Sequence, residues 1–220
     1  MPAFASVIFD CDSTLSAIEG IEEISGAHRE AIEQMTEAAM RGEIPLEQVY
    51  GRRLAIVRPS RATVDALGER YVEMLVPGAR ETVSGLRRAG VEVRILSGGL
   101  RPPVVVVARA LGLEAGDVTA VDIWFDEHGA YAGFDDTSPL TRSEGKAEIV
   151  RAWGASLPRP AMLVGDGATD LAAARELEMF VAFAGVVERP AVVTAADTVI
   201  RERSLAPILA LALERPSEYA

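Results

Sequence analysis

Val7-Ile8-Phe9-Asp10-Cys11-Asp12-Ser13-Thr14-Leu15 indicates the architecture of this protein, because an apolar run typical of a buried strand ends in two acids. In an extended chain, side chains at positions i and i+2 point to the same side, so Asp10 and Asp12 can face one ligand. Open α/β sheets bind ligands at the carboxyl ends of their strands. Taken alone, the stretch also fits a strand that runs into an Asx turn and a helix.

A second acidic strand end favours the ligand site, and it reads Ala161-Met162-Leu163-Val164-Gly165-Asp166-Gly167-Ala168-Thr169-Asp170. Its glycine spacing does not fit a dinucleotide-binding loop, because Asp170 stands where the third glycine would be and acids repel a pyrophosphate. Carboxylates at neighbouring strand ends repel one another unless a cation lies among them, and hard oxygen ligands suit magnesium. The two acidic strand ends together predict a divalent metal site, with Mg2+ as the expected ion.

Two further elements lie between these strand ends. The apolar run 91–96 ends in Ser97-Gly98-Gly99, whose hydroxyl and unhindered backbone N–H groups suit phosphate oxygens. Lys146 stands near the start of a predicted helix, where its charge opposes the helix dipole. Each has an ordinary alternative, a strand-to-helix turn for the first and a solvated surface lysine for the second.

In this order, the four elements resemble the motifs of the haloacid dehalogenase-like superfamily of phosphatases. The residues around each motif are similar to those of the branch that dephosphorylates phosphoserine. The resemblance covers most of the chain. One departure is Leu46, which stands where the family often has an aromatic residue over the substrate, so pocket closure and substrate preference stay open. The other stretches that carry the resemblance are Glu19-Gly20-Ile21-Glu22-Glu23, Met40-Arg41-Gly42, Arg52-Arg53-Leu54 and Tyr131-Ala132-Gly133-Phe134-Asp135.

The resemblance implies a magnesium-dependent phosphomonoester hydrolase that converts O-phosphoserine to serine and phosphate. It implies that Asp10 is the nucleophile, which forms an aspartyl-phosphate, and that Asp12 is the general acid and base. It also implies a role for each remaining motif residue. Ser97, Gly98 and Lys146 would bind the phosphate, Glu19 and Arg53 the ammonium and carboxylate of the substrate, and Asp10, the Asp12 carbonyl and Asp166 the metal, with Asp170 fixing its surroundings.

Two alternative functions stay open at this point. One is a phosphatase or phosphotransferase for another small phosphorylated metabolite, because the sequence does not distinguish water from another acceptor. The other is a regulatory binding module that keeps the fold without turnover. Such a module would usually lack one of four side chains, and all four are present: Asp10, Asp12, Lys146 and Asp166.

Composition limits the partners and the chemistry. The formal net charge of -11 argues against nucleic acid or an anionic membrane, and we expect a small phosphorylated metabolite instead. Cys11 is the only cysteine, so no internal disulfide exists. A cysteine-dependent phosphatase is disfavoured, because no basic residue follows Cys11 through Ala17 and adjacent carboxylates raise the pKa of a thiol. No apolar stretch of about 18 residues occurs, and we expect a cytoplasmic protein.

The pattern along the chain predicts an α/β fold with a Rossmann-like, mostly parallel sheet flanked by helices. Helical patterns at 77–89, 101–111 and 169–177 alternate with apolar runs at 5–9, 91–96, 161–164 and 179–183. Residues 16–75 are rich in helix formers, with helices expected at 30–40, 46–56 and 62–74. We therefore predict a helical cap, residues 16–75, inserted into a catalytic core of residues 1–15 and 76–220. Residues 121–133 predict a β-hairpin excursion near the edge of the core sheet.

Overall fold

The computed structural model describes residues 1–41 and 43–214. Gly42 of the Met40-Arg41-Gly42 motif and residues 215–220 of the predicted core lie outside the described residues. A central sheet has six strands in the spatial order β3-β2-β1-β6-β7-β8, and every neighbouring pair is parallel. In chain order the strands are β1 (Ser6–Phe9), β2 (Glu92–Leu100), β3 (Val118–Val121), β4 (Ile123–Phe125), β5 (Tyr131–Phe134), β6 (Ala161–Gly165), β7 (Met179–Phe183) and β8 (Thr198–Ile200).

The predicted α/β class is confirmed, and the four predicted strands are all present. The two edge strands, β3 and β8, escaped prediction because they have only 4 and 3 residues, too few for a clear pattern. Strand β2 runs further than expected, because Ser97, Gly98 and Gly99 continue it to Leu100. The pairing with β3 shifts register between Leu96 and Leu100, so the glycines bend a strand rather than follow one.

Helices cover both faces of the sheet. Along β1, Val7 and Phe9 belong to one apolar cluster and Ile8 to the other, as expected for a strand buried on both sides. The helices are α1 (Gly20–Glu23), α2 (Arg29–Met40), α3 (Leu46–Val57), α4 (Arg61–Glu73), α5 (Ala79–Arg88), α6 (Arg101–Ala110), α7 (Gly145–Trp153), α8 (Ala168–Ala174), α9 (Pro190–Ala195) and α10 (Ala206–Leu213).

The segment predicted as a cap contains α1 to α4, of which α2, α3 and α4 lie within one residue of the expected helix bounds and the short α1 was not predicted. The chain leaves and re-enters the sheet side by side, because Ser16 and Leu75 form an antiparallel bridge. Helix α4 packs on α6 so closely that a Cβ at Gly68 would lie 2.8 Å from Cγ2 of Val106. The division at residues 16–75 stays a prediction, and within this segment α4 packs against α6 of the core.

Strands β4 and β5 form the predicted hairpin, an antiparallel two-stranded sheet separate from the central one. The hairpin reaches the cap helices. The Arg61 N–H donates to the Gly129 carbonyl at 2.8 Å, and the rings of Phe134 and Tyr50 lie 5.4 Å apart. It therefore connects β3 to the start of α4 and to α3. Over residues 1–41 and 43–214, no helix is both long and apolar enough to cross a membrane.

Candidate active site

The carboxyl ends of β1, β2 and β6 meet at one edge of the sheet, since β1 pairs with β2 on one side and with β6 on the other. Most of the predicted site residues line a single pocket at this edge, and these are Asp10, Asp12, Glu19, Arg53, Gly98, Lys146 and Asp166. Ser97 and Asp170 lie fully buried directly beside it. The Ser97 hydroxyl accepts a hydrogen bond from the Gly99 N–H at 2.9 Å, and its own proton stays available to a ligand.

The loop after β1 makes a single wide turn over Cys11–Leu15. Ser13 has a φ of 52°, in the left-handed region that side chains other than glycine rarely adopt. Its hydroxyl donates to Glu19 Oε1 at 2.7 Å. This strained turn therefore fixes the position of Glu19 relative to the two acids that begin it. Cys11 is buried in the apolar core, and burial followed by the charge of Asp12 raises the pKa of its thiol.

Lys146 is the second residue of α7 and reaches two of the acids. Its Nζ lies 2.8 Å from Asp10 Oδ1 and 2.6 Å from Asp170 Oδ1. Burial alone would lower the pKa of Lys146, but the two carboxylates raise it above its usual value. Burial raises the pKa of Asp10 to about 8, although Lys146 opposes that rise. The close approach of α7 depends on Gly145, where a Cβ would overlap the Pro139 carbonyl.

Three buried carboxylates form a candidate metal site. Asp10, Asp166 and Asp170 each offer an oxygen, and these oxygens all lie within 4.8 Å of one another. The buried Asp10 Oδ1 forms an ion pair with Lys146 Nζ at 2.8 Å. Burial raises the pKa of Asp166 well above its usual range. Such a set of oxygen donors fits a hard divalent cation, which would offset the repulsion among the carboxylates.

The Asp12 side chain lies apart from that cluster. Its Oδ1 accepts two hydrogen bonds, from the Gly20 N–H at 2.6 Å and from the Tyr71 hydroxyl at 2.5 Å. Burial raises the pKa of Asp12, and the hydrogen bond from Tyr71 opposes that rise. Because this carboxylate is held by hydrogen-bond donors and is not one of the three carboxylates of the candidate metal site, it can exchange a proton with a ligand in the pocket.

Arg53 lies on α3 at the cap side of the pocket. Its Nη1 donates to Thr36 Oγ1 at 3.0 Å, and its guanidinium lies 5.5 Å from the ring centre of Tyr50. Its Nε is buried and has no hydrogen-bond partner within the described part of the chain. The Tyr50 hydroxyl donates to the Gly98 carbonyl at 2.9 Å, so α3 is bonded to the predicted phosphate cradle. Burial lowers the pKa of Arg53, because the charged guanidinium is disfavoured away from water, while the nearby Tyr50 and Glu19 oppose that shift.

Sequence reasoning missed Arg189, the last residue before α9. Its buried guanidinium forms ion pairs with Asp166, with Glu37 at 3.4 Å and with Glu19 at 3.7 Å. It thus connects an acid of the core to two acids of the predicted cap. An arginine before a proline carries no distinctive signal, because the same pattern begins many surface helices. Tyr50 and Tyr71 were also missed, since a tyrosine on an amphipathic helix is usually a core residue.

Comparison with known proteins agrees with this arrangement. A family model for haloacid dehalogenase-like hydrolase matches residues 4–177. A phosphoserine phosphatase of Bos taurus is 37% identical over 187 residues, which cover 84% of this chain and 83% of the relative. A solved phosphoserine phosphohydrolase-like protein from Francisella tularensis has a TM-score of 0.85 and 27% identity, covering 94% of this chain and 98% of its own. A phospho-aspartyl intermediate analogue of phosphoserine phosphatase has a TM-score of 0.81 and 26% identity, with the same coverage.

The chain belongs to the haloacid dehalogenase-like hydrolases, because the family model spans well over half of its length. The resemblance inferred from the separated motifs is thereby confirmed. Within this family, the relative and the two solved structures reported above are phosphoserine phosphatases or are described as similar to one.

Proposed function

We propose that this chain is a magnesium-dependent phosphoserine phosphatase, which hydrolyses O-phosphoserine to serine and phosphate. The observation that carries the proposal is the charge arrangement of one pocket. Beside the acids at the strand ends, the pocket is lined by one further carboxylate, Glu19, and by the buried guanidinium of Arg53, whose Nε has no hydrogen-bond partner among the described residues. The other arginine of the lining, Arg142, is bonded to Glu148. A phosphorylated amino acid presents an ammonium and a carboxylate in addition to its phosphate, and these two residues complement them.

The chemistry that we assign to the acids has two steps. In the first, a carboxylate oxygen of Asp10 attacks phosphorus, the bond from phosphorus to the serine oxygen breaks, and Asp12 gives its proton to that oxygen. In the second, water attacks the aspartyl-phosphate, Asp12 takes a proton from the water, and Asp10 is released with inorganic phosphate. The hydrogen bonds from the Gly20 N–H and the Tyr71 hydroxyl, which hold the Asp12 carboxylate in the pocket, support this role.

Electrostatic stabilisation of the phosphate is assigned to Lys146, Ser97 and the Gly98 N–H. Lys146 offsets the repulsion between Asp10 and an incoming dianion, and its 2.8 Å approach to Asp10 supports that role. Mg2+ would be held by Asp10, Asp166 and the Asp12 carbonyl, and when bound it neutralises charge that builds on the phosphate oxygens. Asp170 would fix these surroundings through its 2.6 Å contact with Lys146.

Two alternatives are weighed against this proposal. One alternative is a different small phosphorylated metabolite as the substrate, or an acceptor other than water. Either reaction would use the same acids, and a different substrate would make different contacts with Glu19 and Arg53. A binding module without turnover has less support, because Asp10, Asp12, Lys146 and Asp166 all line one pocket. Location in the cytoplasm stays a prediction.

The test compares phosphoserine with two truncated substrates and two variants. Phosphoethanolamine lacks the carboxylate and phosphoglycolate lacks the ammonium. We expect Arg53→Ala to lower kcat/KM for phosphoserine by roughly ten- to a hundredfold, the worth of a charge-assisted hydrogen bond, and to change phosphoethanolamine turnover little. Glu19→Gln should likewise lower kcat/KM for phosphoserine and change kcat/KM for phosphoglycolate little. If each variant lowers kcat/KM by the same factor for all three substrates, these residues do not recognise the ammonium and carboxylate of the amino acid.

A further inference from the structure

We propose that Tyr71 is a positioning residue for Asp12, which holds one carboxylate oxygen so that the other faces the leaving group. The inference rests on the proposed function, since it takes Asp12 as the general acid and base. The tyrosine lies on α4, 59 positions along the chain from the acid that it contacts. Neither the family motifs nor the strand ends pointed to it.

The contact is short and fully enclosed. The Tyr71 hydroxyl donates to Asp12 Oδ1 at 2.5 Å, and Tyr71 is 1% exposed. The Gly20 N–H donates to the same oxygen at 2.6 Å. Two donors on Oδ1 hold the carboxylate in one rotamer and satisfy the lone pairs of that oxygen. Proton exchange with a ligand therefore falls to Oδ2.

The free oxygen faces the predicted phosphate cradle. A Cβ built on Gly99 would lie 2.8 Å from Asp12 Oδ2, so this oxygen is directly beside the Ser97-Gly98-Gly99 stretch. On the other side, a Cβ at Gly20 would lie 2.0 Å from the Tyr71 hydroxyl. Glycine at both positions leaves room for the acid between its donors and the ligand. The geometry thus orients Asp12 toward the bond that breaks.

Tyr71 is itself fixed by the backbone that follows Asp12. The Ser16 hydroxyl donates to the Tyr71 carbonyl at 3.1 Å, and the Ala17 N–H donates to the Met74 carbonyl at 2.8 Å. Helix α4 is also packed against α6 through Gly68. Tyr71 is therefore held by hydrogen bonds from the segment that follows Asp12 and, through Gly68 on the same helix, by packing against α6 of the core.

The experiment measures the first turnover of Tyr71→Phe, which removes only the hydroxyl. With enzyme in excess, serine release from phosphoserine should slow by roughly ten- to a hundredfold. Nitrophenol release from nitrophenyl phosphate should change by less than about twofold, because this leaving group departs without a proton. KM for phosphoserine should stay within about twofold. Tyr131→Phe, on β5 outside the pocket, is the matched control and should match the wild type with both substrates.

A double variant separates positioning from folding. In an Asp12→Asn background, Tyr71→Phe should slow serine release by less than about twofold, because the acid that it positions is gone. The proposal is overturned if Tyr71→Phe slows the release of serine and of nitrophenol by the same factor, or if serine release is unchanged. It is also overturned if Tyr71→Phe slows serine release as much in the Asp12→Asn background as in the wild type. Tyr71→Met, with an apolar side chain in the same space, repeats the test if the first variant unfolds. Absence of wild-type serine release would instead refute the proposed substrate, and the comparison would then use an alkyl phosphate that is turned over.

Discussion

At the residue scale, the site gathers more acid than its cations neutralise. Asp10, Asp166 and Asp170 share one buried space, and Lys146 and Arg189 are the basic side chains that contact them in the described part of the chain. Burial raises the pKa of Asp10 and of Asp166, since an ionised carboxylate is costly where water is excluded. The arrangement is costly for folding and useful for a ligand that brings positive charge.

Glu22, at the edge of this acidic region, gives a prediction about pH and stability. Burial, followed by the charges of Glu19 and Glu33, raises its pKa from 4.5 to about 7, and Glu37 adds to the rise while Arg29 opposes it. The folded protein therefore holds this proton more tightly than the unfolded chain does. Ionisation of Glu22 costs no stability below pH 4.5 and its full penalty above pH 7.

We expect Glu22→Gln, which cannot ionise, to gain stability over the wild type as the pH rises from 4.5 to 8. The side chain is half-buried, so solvent screening limits the gain to about 1 kcal/mol. Denaturant unfolding of both proteins at pH 4.5 and pH 8 measures the difference. An equal free-energy difference at the two pH values would contradict the raised pKa.

At the element scale, Leu46 stands where the family often has an aromatic residue, and Tyr50, one helical turn later on α3, provides an aromatic ring instead. Leu46 is buried in the pocket wall, and Tyr50 on the same helix supplies an aromatic ring there. That ring packs against Phe134 of the hairpin and lies under Arg53, and its hydroxyl reaches the Gly98 carbonyl. Tyr50 therefore joins three elements, α3, β5 and β2, over the pocket.

The hydrogen bond from Tyr50 predicts an effect on binding rather than on chemistry. Tyr50→Phe keeps the ring against Phe134 and removes the bond to Gly98, so the pocket should close less firmly. We expect KM for phosphoserine to rise by about three- to tenfold, equivalent to one neutral hydrogen bond, with kcat within about twofold. Steady-state kinetics test this, and a fall in kcat with unchanged KM would contradict it.

How far the elements could be predicted depends on how local their signals are. Strands β1, β2, β6 and β7 are apolar runs, with Asp10 directly after β1, Asp166 directly after β6 and Ser97 within the last part of β2, so both the fold class and the catalytic edge could be inferred from neighbouring residues. The contact between Tyr71 and Asp12, and the ion pairs of Arg189, join positions far apart in the chain. Side chains of this kind have the same local pattern as ordinary core or surface residues, and only the folded arrangement identifies them.

At the scale of the whole molecule, metal binding should be linked to folding. The three carboxylates that repel one another are assembled only in the native state, so a divalent ion that binds there stabilises that state by mass action. We expect Mg2+ at 100 times its dissociation constant to add about 2.7 kcal/mol to the free energy of unfolding. The shift should appear as a higher melting temperature without any substrate present.

Asp166→Ala tests which residues hold the ion. The variant should lose most of the magnesium-dependent rise in melting temperature, whereas Asp126→Ala, in the turn of the hairpin, should keep it. Calcium is expected to support turnover poorly even where it stabilises the fold, because its larger and more flexible coordination misplaces the reacting groups. Equal magnesium shifts in Asp166→Ala and the wild type would refute the assigned metal site.

In the proposed mechanism, phosphoserine transfers its phosphoryl group to Asp10. The most direct measurement is a rapid quench of the wild-type enzyme with [32P]phosphoserine and magnesium, followed by mapping of the labelled peptide. We predict a hydroxylamine-sensitive label, as expected of an acyl phosphate, on Asp10, and no label on Asp10→Asn. A label on Cys11 or Ser13, or phosphate release with no labelled protein under any quench time, would contradict the account.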